Sequence, residues 1–442
     1  MNTTEWIVQR VSRLRAPSPA VTRSTQERLQ ARLRQGEEAM SPRALRHKLD
    51  ELKAIVDPLV SEVEGGRRAQ AVVDWYASAT PAHRRDLWLL MSERFVADPA
   101  QVKAAQETYL ATVGTPDEAA AEVLYRRATV SPRRRLLQRF SAHPEGIAFL
   151  VNLRAEMQAQ LKTDRRLRAL DVEMEYMFST WFDVGFLELR RISWDSPASL
   201  VEKLIKYEAV HDIRSWDDVK NRLDSDRRCY GFFHPRLPGE PLIFVEVALV
   251  NEIATSITPL LDEAAAPADL DRATTAIFYS ISNTQAGLRG VSFGDSLIKR
   301  VVETLHQEFP RLKTFATLSP IPGLRTWLNK AAPADLLKAW DNAAELGEKA
   351  PERLALLGWA ARYLGMELQD GKPLDPVARF HLGNGARVER LNWAGDPSAK
   401  GFKQSYGLMV NYLYDPKRLD KNRAALTQGK IPIATAIKDL YL

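Results

Sequence analysis

The hydrophobic period changes once along these 442 residues, near residue 190, and that change constrains the fold more than any other feature. Before it, apolar residues recur at the three- and four-residue steps of a helical stripe. After it, they run together as they do in strands buried on both faces. In SPRALRHKLDELKAIVDPLVSEVEGG, Leu45, Leu49, Leu52, Val56, Leu59 and Val63 form one stripe, with Ser41 as N-cap and Pro42 as the first helical residue. The spacing predicts one helix, kinked at Pro58. The pattern continues through LWLLMSERFV, AAAEVLYRRA and the segment from Ile147 to Phe182, so residues 1–190 read as an all-helical domain. Such stripes serve as core or subunit contact, and no chemistry converges in this half.

Residues 191–442 read as a mixed α/β domain, which makes the chain α+β with two domains. CYGFFHPRLPGEPLIFVEVALV holds a turn at Leu237–Pro241 and then an apolar run from Leu242 to Val250. TTAIFYSIS, Thr274 to Ser282, is a second buried strand, and KTFATLSP, 313–320, is a third. Between them LIKRVVETLHQEF places Leu297, Ile298, Val301, Val302 and Leu305 on one helical face, giving a βαβ-like unit. In SYGLMVNYLY, Tyr406, Leu408, Val410, Tyr412 and Tyr414 alternate onto one strand face.

Composition excludes several function classes. Residues 1–50 carry 10 Lys/Arg against 5 Asp/Glu, so nearly all of the net charge of +6 sits there. Arg133, Arg134 and Arg135 lack interleaved aromatics and read as a charged helix surface, so no nucleic-acid partner is expected. A single cysteine, Cys229, excludes an internal disulfide framework and a multi-cysteine metal site, and fits a reducing compartment. No apolar run reaches the ~18 residues of a membrane span, so no membrane partner is expected either. The first residues, MNTTEWIVQRVSRLRAPSPAVTRS, lack a secretory h-region and read first as an amphipathic helix, with an organelle-targeting segment, Arg- and Ser-rich with one acid, as the alternative.

AGLRGVSFGDSLIKR, Ala286 to Arg300, carries two competing motifs. Gly290-Val291-Ser292-Phe293-Gly294 spells G-x-S-x-G, but a nucleophile elbow must join strand directly to helix. Here the seven residues Asn283 to Arg289 intervene, so Ser292 is not read as a nucleophile. The alternative is a loop whose glycines turn main-chain N–H groups toward a phosphate at a helix N-terminus, with Arg289 as an added cation. On the loop alone, that reading and an ordinary turn with a helix cap both stand. The strict P-loop pattern is not met, because Asp295 and Ser296 follow Gly294.

AIFYSISNTQAGLRGVSFGDSLIKRVV, ATLSPIPGL at 316–324, ARFHLGNGARVERLNW at 378–393 and SYGLMVNYLY together resemble the malonyl-CoA decarboxylase family, as do RRCYGFFHPRLPGEPLIFVEVAL and EAVH at 208–211. The resemblance is dense from Ile192 to Tyr414 and weaker in the helical half. It implies a helical N-terminal domain used in oligomerisation and a catalytic domain of GNAT-type acyltransferase fold. It also implies that the substrate's coenzyme A pyrophosphate lies at the loop Arg289, Gly290, Val291, Ser292, Phe293, Gly294 and Asp295. The family's catalytic serine corresponds to Ser319 of SPIPG, and its histidine to His381 of FHLGNG.

Alone, Ser319 is a turn-starting serine before Pro320 and His381 an ordinary capping histidine. Asp375, Pro376 and Gly383 read as N-cap, first residue and stop of a short helix, which puts His381 in its last turn, where a helix C-terminus favours imidazolium. The expected reaction is conversion of malonyl-CoA to acetyl-CoA and CO2 through a thioester enolate, with Ser319 orienting the malonyl group and His381 donating a proton. The thioester is itself the electron sink, so no metal or prosthetic cofactor is expected. Ser280, Asn283, Tyr412 and Tyr414 are second-rank candidates, and His211 and His234 are read as structural. Two other readings fit the same loop: a GNAT-type acyltransferase acting on an amine, and a non-catalytic acyl-CoA sensor. A homo-oligomer such as a tetramer is expected. Cytoplasm is the expected compartment, or an organelle matrix in a eukaryote, since Leu440-Tyr441-Leu442 is not a peroxisomal ending.

Overall fold

The computed structural model describes residues 39–291 and 297–441, which divide into two compact units between Met177 and Phe178. The first unit is helical: α1 (Pro42–Val56), α2 (Glu62–Ser78), α3 (Pro81–Arg94), α4 (Pro99–Thr112), α5 (Glu118–Thr129), α6 (Pro132–Ser141), α7 (Gly146–Gln158) and the start of α8 (Arg168–Trp181). A cap-plus-proline signature starts α1, α3 and α4. Ser41, Thr80 and Asp98 each accept a main-chain N–H, from Ala44, His83 and Ala100, and a proline follows each cap. Leu52, Ile55, Leu87, Met91, Leu136, Phe140, Leu150 and Met157 form the buried core of this unit.

The single kinked helix expected across Pro58 is instead two helices. α1 ends at Val56, Asp57 accepts the Leu59 N–H at 2.9 Å, and Ser61 caps α2 by accepting the Glu64 N–H at 3.2 Å. Proline lacks the N–H that would continue the helix, and the new cap restarts it at a different phase. Leu59 and Val63 therefore leave the stripe and stand 94% and 86% exposed.

The second unit is built on one eight-stranded sheet. In chain order it contains β1 (Glu188–Ile192), α9 (Ala198–Tyr207), α10 (Trp216–Arg222), β2 (Arg227–Phe233), β3 (Pro241–Val250), β4 (Thr275–Asn283), α11 (Leu297–Glu308), β5 (Thr314–Thr317) and β6 (Ser319–Pro320). There follow α12 (Leu324–Ala331), α13 (Ala334–Trp340), α14 (Pro351–Gly365), the short ribbon β7 (Leu368–Gln369) and β8 (Lys372–Pro373), α15 (Pro376–Gly383), β9 (Arg387–Asn392), α16 (Ala399–Ser405), β10 (Met409–Tyr414), α17 (Leu419–Thr427) and α18 (Thr435–Lys438). The strands pair in the order β1-β2-β3-β4-β5-β10, with β6 and β9 also on β10. Of these pairings only β4–β5 is parallel, the product of the βαβ unit. This is the α+β fold class expected from the change of period.

Two departures shape the site. β4 carries one extra residue: Glu246 pairs with Ser280 and Val247 with Phe278, which leaves Tyr279 unmatched as a bulge. A bulge bends its strand, and β4 and β5 pair only from Thr275/Thr314 to Phe278/Thr317, parting at that point. β10 begins later than the alternation suggested. Tyr406 takes φ 56° and Gly407 φ 78° to end α16, so neither Tyr406 nor Leu408 belongs to the strand. Left-handed backbone breaks the pleat, and the alternation holds only from Val410 through Tyr412 to Tyr414.

Candidate active site

A cavity of about 850 Å3 opens beside the end of β4, a size that accommodates a large organic ligand; Ser319 and His381 do not line it, although Phe380, the neighbour of His381, does. Its lining comes from the starts of β3 (Leu242, Ile243) and α11 (Leu297), the end of β4 (Ile281, Ser282, Asn283), the following loop (Thr284 to Ala286 and Leu288 to Val291) and α15 (Arg379, Phe380, Gly383), with Ala209 and Asn384. Of the loop expected to hold phosphate, Arg289, Gly290 and Val291 line this cavity. Gly290 has φ 83°, a conformation that favours glycine. Ser292, Phe293, Gly294 and Asp295 lie outside the described residues.

Ser319 and His381 come together although 62 residues separate them: the Ser319 Oγ is 3.3 Å from the His381 Nε2. Each is placed by its own local structure. Ser319 sits on β6, opposite Val410 of β10, directly after the break at Leu318. His381 is in the last turn of α15, whose N-cap Asp375 accepts the Val377 and Ala378 N–H groups at 2.9 Å each. The N-cap and first residue of this helix are those read from the sequence; Gly383 is its last helical residue, with Asn384 as C-cap and Gly385 in the left-handed conformation.

Two further side chains complete the constellation. The Tyr414 hydroxyl is 2.7 Å from the His381 Nδ1, and Ser319 donates to the Thr317 Oγ1 at 2.8 Å. Tyr412 stacks on the imidazole, ring centres 4.7 Å apart and planes 25° apart, and its N–H donates to the Thr317 Oγ1. Tyr414 was a second-rank candidate, whereas Thr317 was missed. Its signal was the i, i+2 spacing of Thr317 and Ser319, which puts both on one strand face.

The imidazolium expected from the helix C-terminus is not what this environment favours. His381 is buried, and desolvation lowers its pKa to about 3, outweighing a terminus dipole worth typically 0.3–1 kcal/mol. The free ring is therefore neutral at pH 7. Because the Ser319 proton is directed to Thr317, the hydrogen-bond pattern assigns the ring proton to Nε2, donating to Ser319, and leaves Nδ1 to accept from Tyr414.

The remaining candidates divide. Ser280 donates to both Glu208 oxygens at 2.8 Å and does not join the Ser319 group. Asn283 lines the cavity. His234 packs on Phe182 and accepts the Arg236 N–H through Nδ1. His211 is buried, its pKa lowered to about 4 by desolvation. Among the described residues, no cluster of three His, Cys, Asp or Glu converges as a metal site, and no helix is long and apolar enough to cross a membrane.

A family model described as the malonyl-CoA decarboxylase C-terminal domain matches residues 185–442, and one described as the N-terminal domain of the same enzyme matches residues 95–182. The chain belongs to the malonyl-CoA decarboxylase family. The mitochondrial malonyl-CoA decarboxylase of Rattus norvegicus is 37% identical over 391 residues, 79% of this chain and 80% of the rat protein. That of Anser anser anser is 37% identical over 338 residues, 68% of this chain and 67% of the goose protein. Among solved structures, the malonyl-CoA decarboxylase of Rhodopseudomonas palustris is 40% identical with a TM-score of 0.80, covering 89% of this chain and 99% of its own. That of Cupriavidus metallidurans is 44% identical with a TM-score of 0.72, covering 90% and 100%. Membership in the malonyl-CoA decarboxylase family makes this chain an enzyme and its reaction the decarboxylation of malonyl-CoA.

Proposed function

We propose that the second unit decarboxylates malonyl-CoA through a thioester enolate, with Ser319 and His381 as its catalytic residues. The observation that carries this reading is the buried chain Tyr414, His381, Ser319, Thr317. The bond between the malonyl carboxylate and the α-carbon breaks, and its electron pair passes into the thioester as an enolate. CO2 leaves, and the α-carbon takes up one proton to give acetyl-CoA. Ser319 orients the malonyl group, and the Nε2–H of His381 supplies the proton. Because the ring is neutral, Nδ1 accepts the Tyr414 proton as Nε2 gives up its own. The enolate carbon is a far stronger base than a phenolate, so the transfer runs downhill.

The substrate's phosphates are assigned to the loop Arg289–Asp295 ahead of α11, supported by Gly290's left-handed backbone and by the place of Arg289 to Val291 on the cavity wall. No cofactor is assigned, since coenzyme A arrives with the substrate. The helical unit is assigned to self-association, supported by Leu110, Val113, Val123 and Leu124 of the α4–α5 region, each 47–62% exposed. Light scattering tests that assignment, and a monomer at micromolar concentration sinks it.

Incubation with malonyl-CoA and no acceptor tests the reaction itself. Stoichiometric CO2 and acetyl-CoA are expected. Ser319→Ala and His381→Asn should each lower kcat by roughly 10²–10⁴-fold while coenzyme A still binds. Variants with undiminished turnover would remove the pair from the mechanism.

A further inference from the structure

We propose that Glu208 is a positioning residue for the substrate, a buried carboxylate that fixes Ala209–His211 as a rigid wall of the substrate cavity. This rests on the reading of that cavity given above. The segment is neither helix nor strand, yet all six of its main-chain polar groups are held by side chains. The Ala209 N–H donates to the Ser282 Oγ at 3.1 Å, and the Val210 and His211 N–H groups donate to the Glu208 Oε1 at 2.8 Å each. Lys400 donates to the carbonyls of Ala209 and Val210 at 3.0 and 2.9 Å, and Arg222 to that of His211 at 2.9 Å.

The carboxylate is the centre of this arrangement. Besides two N–H groups it accepts Ser280 at both oxygens and Ser282 at Oε2, at 2.8 and 3.1 Å, so one buried side chain ties the segment to the end of β4. Its lone pairs are taken up by these donors, which leaves it to hold geometry rather than to exchange protons with substrate. Ala209 and Ser282 both line the substrate cavity. Val210 and His211 line another cavity, of about 430 Å3, with Asp396 and Lys400. A segment that borders two cavities is held in place largely by such hydrogen bonds, since less of its surface is packed against other side chains. β4 bends at the Tyr279 bulge immediately before Ser280, so the tie is made where the strand turns away from β5.

The full-length chain is tested as Glu208→Ala, Glu208→Gln and the double variant Ser280→Ala/Ser282→Ala. For each, KM and kcat with malonyl-CoA, the Kd of coenzyme A by calorimetry, and the melting temperature are measured. A wall that only binds and orients predicts that Glu208→Ala raises KM and Kd roughly tenfold while kcat falls by less than about threefold. Glu208→Gln keeps one carbonyl oxygen for the Val210 and His211 N–H groups and should recover most of the loss. Unchanged KM and Kd in folded variants overturn the proposal, as does a collapse of kcat at constant KM. Should Glu208→Ala fail to fold, the serine double variant decides by the same criteria. A wild-type protein that binds coenzyme A but releases no CO2 sinks the decarboxylase reading instead, and the Kd values still judge the wall.

Discussion

The Asp375 carboxylate accepts the Gly323 N–H at 3.4 Å, and this contact joins the two segments that carry Ser319 and His381. The same carboxylate caps α15, and Tyr363 donates to it at 3.4 Å. One buried group thus sets both the turn after the serine and the start of the histidine's helix. A Cβ on Gly323 would stand 2.1 Å from the Tyr363 hydroxyl oxygen. Gly323→Ala must therefore displace Tyr363 and disturb Asp375. The expected result is a kcat lower by roughly 10–100-fold, the cost of about an ångström of misplacement, with coenzyme A affinity within about twofold. Steady-state kinetics paired with calorimetry checks this, and unchanged kcat would show that the two segments are held independently.

Thr317→Val tests the missed residue. Valine keeps the shape but leaves both the Ser319 hydroxyl and the Tyr412 N–H without their acceptor. Burial makes that costly, about 1–3 kcal/mol of stability for the orphaned groups. A urea titration should register the loss, and kcat should fall as Ser319 turns toward another partner. A variant as stable and active as the wild type would mean that Thr317 only fills space.

The architecture was legible in the sequence because the period of its apolar residues is set by burial, and burial was uniform: β2 and β3 are buried at every residue but Val250. The start of α15 was legible because the Asp375 cap and Pro376 act locally. What escaped depended on contacts between distant segments. Nothing in EAVH says that Glu208 meets Ser280 and Ser282 more than seventy residues later. The charge state of His381 was misjudged for a related reason. The helix terminus is visible in the sequence, whereas the burial that overrides it comes from β6, β10 and Tyr412. The Pro58 break was readable in principle, since Ser61 three residues before Glu64 is itself a cap signal.

Two buried histidines make stability depend on pH. His381 and His211 have folded pKa values lowered to about 3 and about 4 from an ordinary 6.5. As pH falls through 6.5 the unfolded chain binds these protons and the folded chain does not, so stability rises with pH across this window. Their contribution is fully present above pH 6.5 and is lost as pH falls toward 4 and then 3. The urea midpoint should decline across that range, and His381→Asn should decline less steeply. An identical slope for wild type and variant would show that His381 titrates normally.

The relay through a neutral imidazole makes its own kinetic prediction. Because free His381 does not ionise between pH 5 and 8, kcat/KM should show no inflection near 6.5 attributable to it. Delivery from Nε2 is coupled to uptake at Nδ1, so two protons move together, and the rate in mixtures of H2O and D2O should bend downward with deuterium fraction. Tyr414→Phe removes the donor at Nδ1 while keeping the ring that meets Phe278 edge-on at 6.2 Å. That variant should lose roughly 10²–10⁴-fold in kcat with KM little changed, the usual range for a positioned proton donor. Its residual rate should vary linearly with deuterium fraction. A curved dependence that survives in Tyr414→Phe, or a rate limb near pH 6.5 in the wild type, would place the proton source outside the Tyr414–His381 pair.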